Sequence, residues 1–172
     1  PMSGAPHSAR NGCLTFMLGG PSSLLENWHP LFASMGSQIH HLGELGAGMS
    51  VKVLNNYVAS SSVVTVRRVL DACQALNVSP EKLLQIMSES SGGTWYGNQF
   101  HEIDWAREGY SAENTIGILE KDVKSFLKAV EAEPLPEDSL LLERLRRLKP
   151  FDPEGSKDCL LYTSPSPRDL LK

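Results

Sequence analysis

Apolar positions fall into two kinds of block along this chain. Cys13 to Leu18 (CLTFML) is a short continuous apolar run, bounded by Gly12 before it and Gly19-Gly20 after it. A run of that length between glycines predicts a buried strand. Residues 1–6 predict a short extended piece ending in turn residues. From Pro21 to about Ala33, Leu24, Leu25, Trp28 and Leu31 recur near helical spacing, and Pro21 is suited to a helix start. Ser37 to Leu42 predicts a third strand, closed by Gly43. Residues 1–43 therefore read as mixed α/β.

The pattern changes at Gly48. From there to Leu76 there is no proline and no further glycine. Val51, Val53, Leu54, Tyr57, Val58, Val63, Val64, Val66, Val69 and Leu70 place apolar surface on more than one side. That predicts one long helix buried on several faces, central to a helical domain or a dimer. Its many β-branched residues mean that burial, not intrinsic propensity, must hold it helical. Ser79 as N-cap and Pro80 at the first helical position restart a helix running to about Ser90, which Ser91-Gly92-Gly93 ends. Residues 94–112 carry Trp95, Tyr96, Phe100, Trp105 and Tyr110 among polar residues and predict a structured loop with a short helix. Residues 113–132 predict another helix, with Ile116, Leu119, Val123, Phe126, Leu127 and Val130 on one stripe. Pro134 and Pro136 break it, and Ser139 to Leu148 predicts a last short helix. Residues 150–172 hold four prolines with little periodicity and are expected to be disordered. Within them the run Cys159 to Asp169, CLLYTSPSPRD, resembles a translated transposon-type sequencing adapter. The tail is expected to be artefactual and without function, a genuine Ser/Pro linker being the alternative.

Composition narrows the classes. With 172 residues, 41% hydrophobic and 21% charged, the chain suits one globular domain, or one plus a piece of another. The formal net charge of −4 gives no bias toward nucleic acid or an acidic membrane surface. Arg144, Arg146, Arg147 and Lys149 read as a solvated helix face. The three cysteines have unrelated spacings and no CxxC, which argues for a reducing compartment and against a disulfide frame or structural zinc. His40-His41 has no acidic or cysteine partner at ligand spacing, so no metal is expected. No apolar run approaches the ~20 residues that span a bilayer. The chain opens on Pro1 in what reads as the middle of a domain, so a truncated N-terminus is expected.

Three short segments carry the candidate chemistry, in order. The first is Pro1-Met2-Ser3-Gly4-Ala5. The second is Gly46-Ala47-Gly48-Met49-Ser50-Val51-Lys52-Val53-Leu54-Asn55-Asn56. The third is the pair Lys121-Asp122 within an amphipathic helix. Gly46 and Gly48 permit close backbone approach at a helix start. Lys52 and Asn56 are four apart and share one helix face. A lysine in apolar surroundings is costly unless it is paired or used, and burial lowers its pKa toward the range useful for proton transfer. A snorkelling surface lysine with incidental Asn55 and Asn56 accounts for these residues equally well.

Together the segments resemble the β-hydroxyacid dehydrogenase family, which has a Pro-Val-Ser-Gly-Gly segment, a Gly-x-Gly-x-x-x-Lys-x-x-Asn-Asn helix and a Lys-Asp pair. The resemblance covers about residues 1–132. It implies a mainly α fold: an all-helical, 6-phosphogluconate-dehydrogenase-like domain with a long central helix over 44–149, preceded by a short α/β remnant of a Rossmann domain over 1–43. It implies hydride transfer between NAD or NADP and a small 3-hydroxy acid or semialdehyde resembling 3-hydroxyisobutyrate. In that reading Lys52 is the general acid/base and Asn56 holds the substrate, while Asn55 orients the substrate or Lys52. Ser3 and Gly4, with Ala5, bind the substrate carboxylate. Lys121 reaches the dinucleotide and Asp122 supports that contact. A homo-oligomer, dimer or tetramer, is implied for the full-length protein, and the cytoplasm is the expected compartment, with the mitochondrial matrix as the alternative. Two departures stand out. Ala5 replaces a usual glycine, which bears on substrate identity, and Met2 replaces a usual valine. A Gly-x-Gly-x-x-Gly turn is absent, so residues 1–43 are expected to be orphan strands of the cofactor domain and the fragment inactive alone. Two other readings remain: a non-catalytic oligomerisation domain of the same fold, and an imine reductase, which Lys52 disfavours.

Overall fold

A computed structural model describes residues 1–4, 6–131 and 133–153. Ala5 and the adapter-like run of the tail lie outside the described residues. The N-terminal part is a three-stranded sheet built from β1 (Met2–Ser3), β2 (Leu14–Leu18) and β3 (Gly36–His41), in the order β1-β2-β3. β1 runs antiparallel to β2, pairing Met2 with Phe16 and Ser3 with Thr15. β2 and β3 are parallel, from Leu14 opposite Gly36 to Leu18 opposite His41. A parallel pair needs a crossover. Helix α2 (Ser22–Ala33) supplies it and seats Phe32 against Phe16 on the sheet, ring centroids 5.0 Å apart. Between β1 and β2 lies the short helix α1 (Pro6–Arg10), a segment for which the sequence pattern gave no helical period.

The rest is helical: α3 (Ala47–Cys73), α4 (Pro80–Ser88), α5 (Trp95–Asn98), α6 (Thr115–Val130) and α7 (Pro136–Arg146). As expected, Ser79 caps α4, accepting from the Lys82 amide. The start of α7 differs from expectation. α6 ends before Pro134 and Pro136, as expected, but α7 starts three residues earlier than Ser139: Pro136 occupies its first turn, and Asp138 accepts from the Leu135 amide at 2.8 Å.

Burial, not propensity, keeps the valine-rich α3 helical. Val63, Val64, Val66 and Leu70 of its second half join Tyr96, Phe100, Ile116, Val123 and Leu145 in one core. The first half of α3 behaves otherwise. Val51, Leu54 and Val58 form an exposed stripe, because no element among the described residues lies over that side. Among the described residues, the expected burial on several faces therefore holds from about Ser60 onward, with Gly48 the one buried position before it.

Arg67 is the largest fully buried side chain. Its guanidinium donates to the carbonyls of Ala106 and Glu108, at 2.9 and 2.8 Å, and to that of Lys149. It also lies 5.6 Å from the Phe151 ring centroid. The Phe151 amide donates to Arg107 and the Tyr110 amide to Leu148, each at 2.8 Å. So Pro150 and Phe151, which the sequence groups with the tail, begin as a strap fastened to the 106–110 loop. No helix of the described residues is long and apolar enough to cross a membrane.

Candidate active site

The site is built where α3 crosses α6. Helix α3 begins at Gly46, whose φ of 98° is left-handed, and runs past Gly48, where the backbone meets strand β2. A Cβ at Gly48 would overlap the Met17 carbonyl and lie 3.3 Å from Cδ of Pro1. Only glycine lets the helix approach the sheet this closely. One turn later comes Lys52, half-buried, and one turn beyond that Asn56, also half-buried. The four-residue spacing puts both on the same face, as read from the sequence.

Helix α6 supplies the third member. Asn114 caps it, its Oδ1 accepting from the amides of Ile116 and Gly117 at 3.1 and 3.2 Å. Ile116, Leu119 and Val123 then face the core. Successive helical residues point about 100° apart, so the pair Lys121-Asp122 cannot face one way. Lys121 is exposed; Asp122 is half-buried and turned to α3. Asn56 Nδ2 donates to Asp122 Oδ2 at 2.9 Å, across 66 residues of sequence. The carboxylate can only accept, which fixes the nitrogen of the carboxamide toward it.

The electrostatics are mutual. Burial pushes the Lys52 ammonium below its ordinary pKa, and the Asp122 charge opposes that. Burial likewise pushes the Asp122 carboxyl up, against the charges of Lys121 and Lys52 and the Asn56 hydrogen bond. A lysine with a lowered pKa beside a carboxamide and a carboxylate can exchange a proton with a hydroxyl and hold the resulting geometry.

Nearby side chains surround this crossing with hydrogen bonds and ring contacts. Ser60, fully buried, donates to the Asn56 carbonyl at 2.8 Å. Tyr57 packs on Phe126, centroids 4.2 Å apart, and donates to Asp138 at 2.5 Å, which pushes the phenol up to about 12. On the other side of α6, Glu120 accepts from Arg146 at 2.7 Å, from Lys124 at 2.5 Å and from Tyr110. Arg144, Arg146, Arg147 and Lys149 are all exposed, as expected of a solvated face, and from that face Arg146 also reaches Glu120 to tie α7 to α6.

The remaining predicted residues sit elsewhere. Asn55 is exposed on α3. Ser3 ends β1, and Gly4 follows with φ 143°, where a Cβ would stand 2.8 Å from Leu14 Cδ2. Both lie at the end of β1 away from the Pro1–Gly48 approach. Among the described residues no cluster of three or more His, Cys, Asp or Glu could hold a metal. Sequence reading missed the Asn56–Asp122 bond. Its only sequence signal is a carboxylate on the apolar stripe side of a helix, and that does not name a partner.

Comparison with known proteins agrees with this architecture. Residues 46–140 match the family profile described as the NAD-binding domain of NADP-dependent 3-hydroxyisobutyrate dehydrogenase. Residues 1–43 match the profile of the NAD binding domain of 6-phosphogluconate dehydrogenase. The chain belongs to the β-hydroxyacid dehydrogenase family. Among its relatives is the NAD-dependent L-serine dehydrogenase of Pseudomonas aeruginosa, 33% identical over 156 residues, covering 86% of this chain and 52% of that protein. The 3-hydroxyisobutyrate dehydrogenase of the same organism is 29% identical over 140 residues, covering 77% of this chain and 46% of that protein. The solved 3-hydroxyisobutyrate dehydrogenase of Mycobacterium tuberculosis, with L-serine, shares the fold at a TM-score of 0.65 and 21% identity, over 87% of this chain and 56% of that one. The chain spans about half the length of the curated relatives it matches.

Proposed function

We propose that the full-length protein is an NAD(P)-dependent dehydrogenase of small 3-hydroxy acids, and that this chain carries its acid/base lysine, Lys52. The half-buried triad of Lys52, Asn56 and Asp122 at the α3–α6 crossing carries this reading. L-serine and 3-hydroxyisobutyrate, named for the relatives, are both 3-hydroxy acids with a carboxylate.

In the oxidation direction Lys52 Nζ takes the proton of the substrate hydroxyl as the hydride leaves the carbon; in reduction it returns that proton. Asn56 hydrogen-bonds the substrate oxygen and holds it against Lys52. Ser3, Gly4 and Ala5 offer hydroxyl and backbone N–H groups to the carboxylate, and Asn55 steadies the substrate or the lysine. A bound nicotinamide dinucleotide supplies the hydride acceptor or donor. The exposed Lys121 ammonium fits the phosphate groups of such a ligand, since it points to solvent while its neighbour Asp122 points inward. The exposed Val51, Leu54 and Val58 stripe suits a homo-oligomer, dimer or tetramer, in the full-length protein.

In the full-length protein, Lys52→Ala should lower turnover of L-serine or 3-hydroxyisobutyrate by about 10² to 10⁴-fold, the usual weight of acid/base catalysis. Circular dichroism and dinucleotide affinity should be unchanged. Turnover within a few-fold of the parent would sink the assignment.

A further inference from the structure

We infer that Asp122 is a positioning residue of the proton-transfer site: it fixes the Asn56 carboxamide and sets the charge state of Lys52. This rests on the reading of Lys52 as acid/base but differs from assigning Asp122, with Lys121, to the dinucleotide. The argument begins with helix geometry. Lys121 and Asp122 are adjacent on α6, and only Asp122 turns to α3. There its Oδ2 accepts from Asn56 Nδ2 at 2.9 Å. A half-buried carboxylate without a donor is costly, so the pairing stabilises both groups.

The bond has a chemical consequence for Asn56. With one Nδ2 proton committed to Asp122, the carboxamide keeps one N–H and Oδ1. It can then offer an acceptor to a substrate hydroxyl and a donor to a carbonyl, in one fixed orientation. Without Asp122 the amide is free to flip, and donor and acceptor exchange places.

The second consequence concerns Lys52. The charged groups around Asp122 are Lys52 from α3 and Lys121 from α6 itself; Asn56 is the neutral hydrogen-bond partner. Burial lowers the pKa of the half-buried Lys52, and the charge of Asp122 acts against that lowering. Removing the Asp122 charge would leave the burial effect on Lys52 unopposed.

The test uses nuclear magnetic resonance on this chain, with no cofactor. In the parent chain, the Asn56 side-chain amide signal should move with the same midpoint at which the Asp122 carboxyl titrates. An Asn56 signal that passes that midpoint without inflection overturns the proposal, and this measurement needs no variant. Asp122→Asn, nearly isosteric, should lower the Lys52 midpoint by about one pH unit, the low end of what a neighbouring opposite charge contributes. It should leave the Asn56 amide protons protected from exchange, because an acceptor oxygen remains. Asp122→Ala should lower the Lys52 midpoint and also expose those protons to fast exchange. A Lys52 midpoint unchanged in Asp122→Asn overturns the charge-setting role, since a merely structural aspartate would not move it. Turnover of Lys52→Ala is a separate measurement. If that variant stays active while the titrations couple as stated, the acid/base reading fails and the positioning geometry stands.

Discussion

Glu120 shows how much a single carboxylate can be made to do. It is nearly buried, yet Arg146, Lys124 and Tyr110 all donate to it, and the Arg146 bond, first of these, holds its carboxyl down to about 2. A folded-state value below the ordinary 4.5 means that the charged form stabilises the fold. That contribution is complete above pH 4.5 and drains away as pH falls from there toward 2. Glu120→Gln should therefore flatten the acid-side fall in melting temperature across that window. Parent and variant melting curves that decline in parallel would show that Glu120 is not the group responsible. Single residues were legible in the sequence when their partner was near in the chain. Lys52 and Asn56 declare a shared face by their four-residue spacing. Asp122 was visible as a member of a pair, but its bond to Asn56 spans 66 residues and no local pattern encodes it. The Arg146 bond was hidden for the same reason: the residue is exposed as expected, but its partner, Glu120, is 26 residues back on another helix.

At the scale of elements, the caps decide where helices begin. Asn114 accepts from two amides of the first turn of α6 and, through Nδ2, donates to Glu108 and to the Gly109 carbonyl at 2.9 and 2.8 Å. It joins α6 to the aromatic loop as well as starting it. Asn114→Ala should cost about 1 to 2 kcal/mol, the upper part of the range for a lost cap. Urea denaturation should show a lower midpoint with an unchanged slope; a midpoint equal to the parent's would contradict the capping role. The period of apolar residues located every long helix to within a few residues. It failed at α7 because a proline after a helix can stop one element or start the next. What settles the matter is Asp138, bonded both to the Leu135 amide and to Tyr57, 81 residues away. It failed at α1 because five residues are too few to show a period.

Across the whole molecule, Arg67 is the fastening point. One buried guanidinium draws together the middle of α3, the 106–110 loop and the strap at 149–151. Arg67→Ala would leave three carbonyls without their charged donor and a large void in the core. The loss should be about 3 kcal/mol or more, and amide exchange should quicken first at Tyr110 and Phe151, whose bonds close the strap. Equal protection of those two amides in parent and variant would show that the strap holds without Arg67. The general plan, a small sheet followed by a helical body around one long helix, was legible from the change of period at Gly48. The strap was not, because prolines at 150 and 153 look the same in a fastened segment as in a loose one.

Gly48 sits four residues before Lys52, about 6 Å along the helix axis. At Gly48 the contact is backbone on backbone, α3 against the Met17 carbonyl of β2. The height of the ammonium above the sheet is therefore set by a dimension that no side-chain exchange around it can adjust. Core residues on either side can drift in size and be repacked while that spacing stays constant. A single methyl group at position 48 would instead lift the whole helix, and the lysine with it, off its reference plane.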